Sequence, residues 1–251
     1  MSHWKSINVT YLYDGTFNGL LTIVFDCYIA HTLPTKIISE EQYEPNLLDH
    51  LNRIQTDQQK AQRIYQGILK NISYHTLYHC YYAFLSNSRE KELAIVQYLL
   101  HGFLIGPRID TMLSVDYVFK VQALRKKALG ECHRLKGLLR FIEIGKHLYY
   151  AKIHPDHNIL EPLGHHFIQR LPQENFIIHD LNRNIAFLYN TKTYTIEENV
   201  TLKVPAISEQ EFLFQKLWKQ YFKTIAIKER KNPRCQMQYM PKKYWKDLVE
   251  I

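Results

Sequence analysis

At Gly137 the residue pattern of this chain changes period. Between Thr56 and Lys136 apolar residues recur at helical spacing through four segments. Thr56 and Gln59 form a T-x-x-Q capping box that opens a helix running to about Asn71, with Ala61, Ile64, Tyr65, Ile68 and Leu69 on one face. Ser73 can cap a second helix, "YHTLYHCYYAFLS", and "REKELAIVQYLLHGFLIG" is a third that stops at Gly106-Pro107. The fourth spans about Ser114 to Lys136. Val121, Leu124, Ala128, Cys132, Leu135 and Leu139 share one side of it, and Lys120, Lys127 and Arg134 recur along another. Ahead of these helices, "INVTYLYDGT" alternates as a strand and turns at Asp14-Gly15. "FNGLLTIVFDCYIA" then reads as a helix capped by Asp14 or Thr16, and "TKIIS" as a short second strand.

Beyond Gly137 the runs shorten and alternate. "LLRFIEIGKHLYYAKIHP" is a hairpin turning near Gly145-Lys146. "DHNILEPLGHHFIQRLP" is a short amphipathic helix with Pro162 in its first turn. "ENFIIHDLNRNIAFLYN" is a second hairpin, turning at Asn182-Arg183-Asn184. A hairpin-helix-hairpin (ββαββ) unit of this kind is expected to form one small antiparallel sheet with a helix across it, open at an edge to the N-terminal strand. Ser208-x-x-Glu211 is a further capping box, and the helix it starts carries Phe212, Leu213, Leu217, Trp218, Tyr221 and Phe222 into a basic tail. Helices followed by strands indicate an α+β architecture. No solenoid repeat or low-complexity linker divides the 251 residues. We therefore expect one integrated protein over 1–251, with a mainly helical lobe and N-terminal strand at 1–136, the ββαββ unit at 137–205, and the C-terminal helix and tail at 206–251.

Charge narrows the function. The formal net charge is +8, and two blocks hold it: Lys120–Arg140 has seven Lys/Arg against one Asp/Glu, and Lys216–Ile251 has ten against three. The rest of the chain is net negative. Such asymmetry points to a polyanionic partner, nucleic acid before membrane. Either block alone is somewhat better explained as a solvated face; both on one surface would favour nucleic acid. In the tail, Arg230, Lys231, Arg234, Lys242 and Lys243 alternate with Tyr239, Tyr244 and Trp245. Pro233 and Pro241 argue against one long helix there, and the rings argue against disorder. A docked tail with outward charges is expected. Cys27, Cys80, Cys132 and Cys235 form no C-x-x-C pair and read as reduced thiols, which fits a cytoplasmic protein. The N-terminal residues do not resemble a signal peptide, and the apolar run Leu20–Ala30 is short and carries Asp26, so no membrane span is expected.

Catalytic patterns are weaker. "HPDHN" (His154 to Asn158), with His165, His166 and His179 nearby, offers imidazoles and carboxylates that can hold zinc or iron; a turn and helix cap use the same residues, and that reading is favoured. Asp14-Gly15-Thr16 can supply a base or a metal ligand, or cap the next helix, and the cap is favoured. There is no G-x-S-x-G, no Walker A and no G-x-G-x-x-G, and Cys80 beside His79 sits in an aromatic helical stretch. No cofactor is expected in this chain. The basic and aromatic set carries more chemistry. Arg134, Lys136 and Arg140 bracket Gly137, where backbone can come close to phosphate. Rings that stack on bases beside cations that follow phosphates suit single-stranded or distorted duplex DNA.

Four stretches together carry a family resemblance: "YDGTFNGLLTIVFDCY", "HRLKGLLRF", "YYAKIHPDHNIL" with "HHFIQR", and "IAIKERKNPRCQMQYMPKKYW". They resemble a bacterial family of DNA-metabolism or DNA-repair proteins whose core is a domain of unknown function. The resemblance covers nearly the whole chain. It implies a setting: a partner radical-SAM protein that modifies or repairs DNA, and relatives in which the same domain is fused to a uracil-DNA-glycosylase-like domain. This chain resembles the unfused type and lacks the three-cysteine cluster motif of a radical-SAM enzyme. Matching positions are Asp14, Gly15, Arg134, Lys136, Gly137, Arg140, His166, Arg170, Arg230, Asn232, Pro233, Met240, Pro241 and Tyr244.

The leading expectation is a cytoplasmic DNA-binding accessory of a repair or base-modification system, acting with a radical-SAM partner. Arg134, Lys136, Arg140, Arg170, Arg230, Asn232, Lys242 and Lys243 are the candidate phosphate contacts, and Tyr244 or Trp245 the candidate stacking rings. One alternative is a DNA-processing enzyme, a glycosylase, nuclease or lesion hydrolase, with Asp14, His157 and His166 as its polar centre. Another is a protein–protein adaptor without DNA affinity.

Overall fold

A computed structural model describes residues 4–46, 50–201, 208–230 and 232–250. The chain divides into two compact units, Met1–Leu129 and Gly130–Ile251.

The first unit begins with β1 (Lys5–Tyr13), α1 (Phe17–Ala30) and β2 (Thr32–Ser39). Gly15 takes φ +77°, which allows the tight turn after β1. The Thr16 hydroxyl then caps α1 by accepting the Gly19 N–H. Asp14 supports that cap from outside, accepting the Thr16 N–H at 3.0 Å and the Thr16 hydroxyl at 2.8 Å. Because α1 carries the chain back across the sheet, β1 and β2 pair in parallel, and β3 (Leu51–Arg53) joins β1 on its other edge, also in parallel. The strand order is β2-β1-β3. The N-terminal strand therefore lies at the centre of its own sheet, not at the edge of the ββαββ layer as expected. Both of its neighbours, β2 and β3, belong to the first unit.

Four helices follow: α2 (Gln58–Asn71), α3 (Tyr74–Phe84), α4 (Lys91–Ile105) and α5 (Asp116–Leu138), whose residues from Gly130 onward belong to the second unit. The cap of α2 is Asp57, one residue later than expected: its carboxylate accepts the Gln59 and Lys60 N–H groups, while the Thr56 hydroxyl donates to Asp14 at 2.7 Å. Ser73 caps α3 as its position suggested. Gly106, at φ +70°, ends α4. Leu20, Ile23 and Val24 of α1 meet Tyr13, Ile68, Cys80, Ile95 and Leu99 in one buried core. A polar network lies beside it. Asp110 accepts hydrogen bonds from Ser73 (2.9 Å), Thr76 (2.9 Å) and the buried Tyr98 hydroxyl, and His79 stands 3.6 Å away.

The second unit holds β4 (Ile142–Gly145), β5 (Leu148–Ile153), α6 (Leu160–Arg170), β6 (Asn175–Asp180), β7 (Ile185–Tyr189), β8 (Tyr194–Glu198), α7 (Glu209–Ile225) and α8 (Pro233–Tyr239). Strand order follows the sequence, β4-β5-β6-β7-β8. The hairpin-helix-hairpin arrangement is present, and the mixed helix-and-sheet class stands. One pairing differs from the antiparallel expectation: β5 and β6 run parallel, since the crossover through α6 returns the chain to the same end of the sheet. β8 is an extra edge strand with all five residues exposed. Tyr194 secures it by stacking on Phe187, ring centroids 4.9 Å apart.

Gly164 lets α6 lie against the sheet. A Cβ there would fall within the ring of Phe187, which is wholly buried and stacked between Phe176 and Tyr194. Gly164→Ala gains about 1 kcal/mol of helix propensity against an overpacking cost of about 1–3 kcal/mol or more where the ring cannot step aside. A net loss of stability is expected in urea unfolding. A variant as stable as the parent would show that α6 can lift at little cost.

Candidate nucleic-acid interface

The basic tail is docked. Tyr244 and Leu248 are buried, and short helical turns, Lys242–Asp247 among them, replace a continuous helix after each proline. The contact centres on Glu131 of α5, whose side chain is 1% exposed. Glu131 accepts the Tyr244 hydroxyl at 2.8 Å, Lys243 Nζ at 2.5 Å, and the backbone N–H groups of Asp156 at 3.1 Å and His157 at 2.8 Å. Lys243 also reaches Asp156 at 2.5 Å. Burial alone would raise the Glu131 pKa, but bonds from Lys243, His157, Asp156 and Tyr244 outweigh it and hold the carboxyl below its usual range. Burial would also lower Lys243, yet Asp156 and Glu131 push it above the ordinary lysine value. "HPDHN" is thus a junction between α5, the tail and the second hairpin. Arg183 and Asn182 of that hairpin's turn donate to the Pro155 carbonyl at 3.2 and 2.9 Å.

Arg140 is a second brace. Its Nε and Nη2 donate to Glu250 at 3.3 and 2.5 Å, and Nη1 donates to the carbonyls of Gly137 (2.9 Å) and Leu139 (3.1 Å). Glu250 also accepts the Trp218 indole N–H at 3.2 Å. Burial would raise the Glu250 carboxyl, and the Arg140 guanidinium holds it low. The Arg140 fork is engaged inside the unit, where it fixes the last turn of α5, α7 and the tail.

Three grooves meet around this brace. The first, about 510 Å³, is lined by Gly137, Arg140 and Phe141 on one side and by Glu211, Phe214, Gln215 and Trp218 of α7 on the other. The second, about 660 Å³, shares Gly137, Arg140 and Phe141 and adds Lys136, Tyr149, Phe167 and Arg170. The third, about 280 Å³, carries Lys152, Lys219 and Lys246 beside Tyr150 and Asp247. His166 has a pKa below the usual imidazole value, through burial first and then the charges of Lys136 and Arg170. Lys136, Arg170 and the His166 imidazole share one neighbourhood. A Cβ on Gly137 would meet nothing within 4 Å, so a ligand can approach the backbone there. Charge is mixed across the rim: Glu174, Glu143 and Glu211 all raise the Tyr149 pKa after burial does.

The other expected residues are distributed as follows. Arg134 is half-buried, with a buried Nε that has no hydrogen-bond partner among the described residues. Arg230 and Asn232 are exposed, and the Asn232 side chain caps α8 by accepting the Cys235 N–H at 3.0 Å. Lys242 is exposed and lies over the Trp245 ring at 6.0 Å, while Trp245 donates to the Met240 carbonyl at 2.8 Å. Tyr244, expected to stack on a base, presents no free face, because its ring is 2% exposed. Lys231 lies outside the described residues. Asp14 belongs to the first unit and is engaged by Thr16 and Thr56. His157 is buried beside Glu131, and burial lowers its pKa first. His154 pairs with Asp247 at 2.9 Å. Among the described residues no group of three His, Cys, Asp or Glu is placed to hold a metal ion, and no helix is long and apolar enough to cross a membrane.

The walls of the grooves were not anticipated. Phe141 directly follows Arg140 in "LLRF", and Trp218 was assigned only to a helix face. Glu211 was assigned to a capping box, yet its carboxylate turns to the Glu143 N–H (3.3 Å) and to Gln215 (2.9 Å). The available signal was the aromatic density of α7, which exceeds what one buried stripe needs.

A family model for a domain of unknown function, DUF4130, matches residues 89–250, and the chain belongs to this family. No curated protein and no solved structure matches it. Every residue lining the three grooves falls inside the matched region; Asp14 falls outside it.

Proposed function

We propose that the chain is a DNA-binding accessory of a repair or base-modification system, and that its second unit holds a DNA strand along the grooves around Gly137. The observation that carries this reading is the meeting of Lys136 and Arg170 on one groove walled by Phe141, Tyr149 and Phe167. Lys152, Lys219 and Lys246 line a neighbouring groove. Cations that neutralise phosphates beside rings that accept base faces are the parts a single strand requires. Phosphate contact falls to Lys136, Arg170, Lys152, Lys219 and Lys246. Arg140 and Lys243, engaged by carboxylates, organise the surface. The radical-SAM protein implied by the family resemblance would be the partner that receives the DNA.

Removing Lys136 and Arg170 together tests this reading. Each phosphate contact on a single strand contributes about 0.7 to the slope of log K against log salt. The double alanine variant should bind all strands more weakly, with a slope shallower by about 1.4. Fluorescence anisotropy across a salt series reads both. An unchanged affinity and slope would rule out this groove.

One observation favours a second reading, a protein adaptor. Phe212, Leu213, Leu217 and Ile225 of α7 are 67%, 55%, 55% and 55% exposed, and exposed apolar side chains grouped on one element are what a protein partner covers. Co-purification with the radical-SAM protein from nuclease-treated extract, together with no affinity for DNA, would select it.

A further inference from the structure

We infer that the groove between Gly137–Phe141 and α7 takes one unpaired base of the bound strand, and that its polar edge favours guanine over thymine. The inference rests on the nucleic-acid reading above and adds the base it selects.

The groove has the parts of a base site. Phe141, Phe214 and Trp218 give it aromatic walls. Trp218 is 42% and Phe214 57% exposed, so ring faces remain to be covered. The indole is held in place: its N–H donates to Glu250, and Glu250 is gripped by Arg140. A ring fixed before binding loses little freedom when a base stacks on it. A volume of about 510 Å³ suits a nucleotide. The groove also shares Gly137, Arg140 and Phe141 with the one that carries Lys136 and Arg170. A strand whose phosphates rest on those two cations can therefore turn a base toward α7.

The polar edge sets the preference. Gln215 Nε2 donates to Glu211 Oε1 at 2.9 Å. One Gln215 amide hydrogen goes to Glu211, which leaves the second amide hydrogen and the carbonyl oxygen at the groove edge. Among the described residues Glu211 Oε2 receives only the long Glu143 N–H bond, 3.3 Å. Each Glu211 carboxylate oxygen keeps a lone pair, so Glu211 is the acceptor edge of a groove that Arg140 also lines. Guanine offers two adjacent donors, N1–H and the N2 amino group, which match a carboxylate. Thymine offers one N–H between two carbonyls, and those carbonyls would face the negative charge. Adenine and cytosine, each with one amino group, fall between.

The test uses oligo-dT strands with a single central dG, dA, dC or dT, measured by anisotropy at fixed salt. The dG strand should bind roughly tenfold tighter than all-dT, the scale of a single base contact. Glu211→Gln should abolish that preference. Phe214→Ala, which changes a mostly exposed side chain and so keeps the fold, should weaken every strand without altering the salt slope. Equal binding of all four strands, with Glu211→Gln and Phe214→Ala both unchanged, would overturn the base site while leaving the phosphate groove intact. No binding of any strand at low salt would overturn the DNA reading itself. Free dGMP should compete poorly, because it lacks the flanking phosphates. Full competition by the mononucleotide would overturn the strand in favour of a free nucleotide.

Discussion

Replacing Glu131 with alanine is expected to destabilise the second unit by about 3–5 kcal/mol, the range for breaking a buried charge pair by removing one partner. The carboxylate is 1% exposed and holds four partners: Lys243, the Tyr244 hydroxyl, and the N–H groups of Asp156 and His157. Alanine is the best helix former, so the loss cannot come from weakening α5. Lys243 is about a third exposed and recovers some hydration, which places the effect toward the lower end. The Tyr244 hydroxyl and the His157 N–H, both on buried residues, have no such recourse. Tyr244→Phe, which removes one of these hydrogen bonds, should cost about 1 kcal/mol. Urea unfolding measures both, and limited proteolysis near Lys242 should show the tail cut faster in Glu131→Ala. Equal stability of the two variants would mean that Glu131 is not the centre of the docking.

Asp110→Asn is expected to cost on the order of 2 kcal/mol at neutral pH and nothing extra in strong acid. Burial would raise the Asp110 pKa, but hydrogen bonds from His79, Tyr98, Thr76 and Ser73 outweigh it and bring it from 3.8 to about 2. A carboxyl whose folded pKa is depressed adds stability above its unfolded pKa. That contribution is lost as pH falls through the folded value. The gap between parent and variant should therefore be full above about pH 4 and close toward pH 2. Unfolding midpoints measured across that window test the sign. A constant gap would show that the network does not depend on the Asp110 charge.

Local features of this fold were legible in the sequence because they depend on neighbouring backbone. Ser73, Ser208 and Thr16 cap helices that follow them directly, and Asn184 takes positive φ in the turn where it was expected. Features that depend on distant partners were not. The α2 cap falls on Asp57, whose carboxylate takes the Gln59 and Lys60 N–H groups, and the Thr56 hydroxyl turns to Asp14, 42 residues earlier. No periodicity could show that β5 and β6 run parallel, because direction follows from how α6 crosses the sheet. β8 has no buried residue, so its sequence carries no face.

The candidate site divides in the same way. Lys136 and Arg170 could be picked out by charge alone, and they share a groove. Arg140, Lys243 and Tyr244 were picked out by the same chemistry, but their partners lie far along the chain. Glu250 is 110 residues from Arg140, and Glu131 is 112 and 113 residues from Lys243 and Tyr244. Only folding decides that these three hold the surface together. The aromatic walls come from Phe141 and α7, whose rings could equally have been core. The sequence supplied the charges, and the fold decides which of them remain free for a ligand.

The most direct measurement is photo-crosslinking of the purified protein to a short single-stranded DNA, with the crosslinked peptides mapped by mass spectrometry. Crosslinks at Phe141, Tyr149 or Trp218, lost on competition with unlabelled strand and reduced in the Lys136→Ala, Arg170→Ala variant, are the expected result. Crosslinks confined to the first unit, or none at a concentration where binding is measured, would contradict a DNA strand held around Gly137.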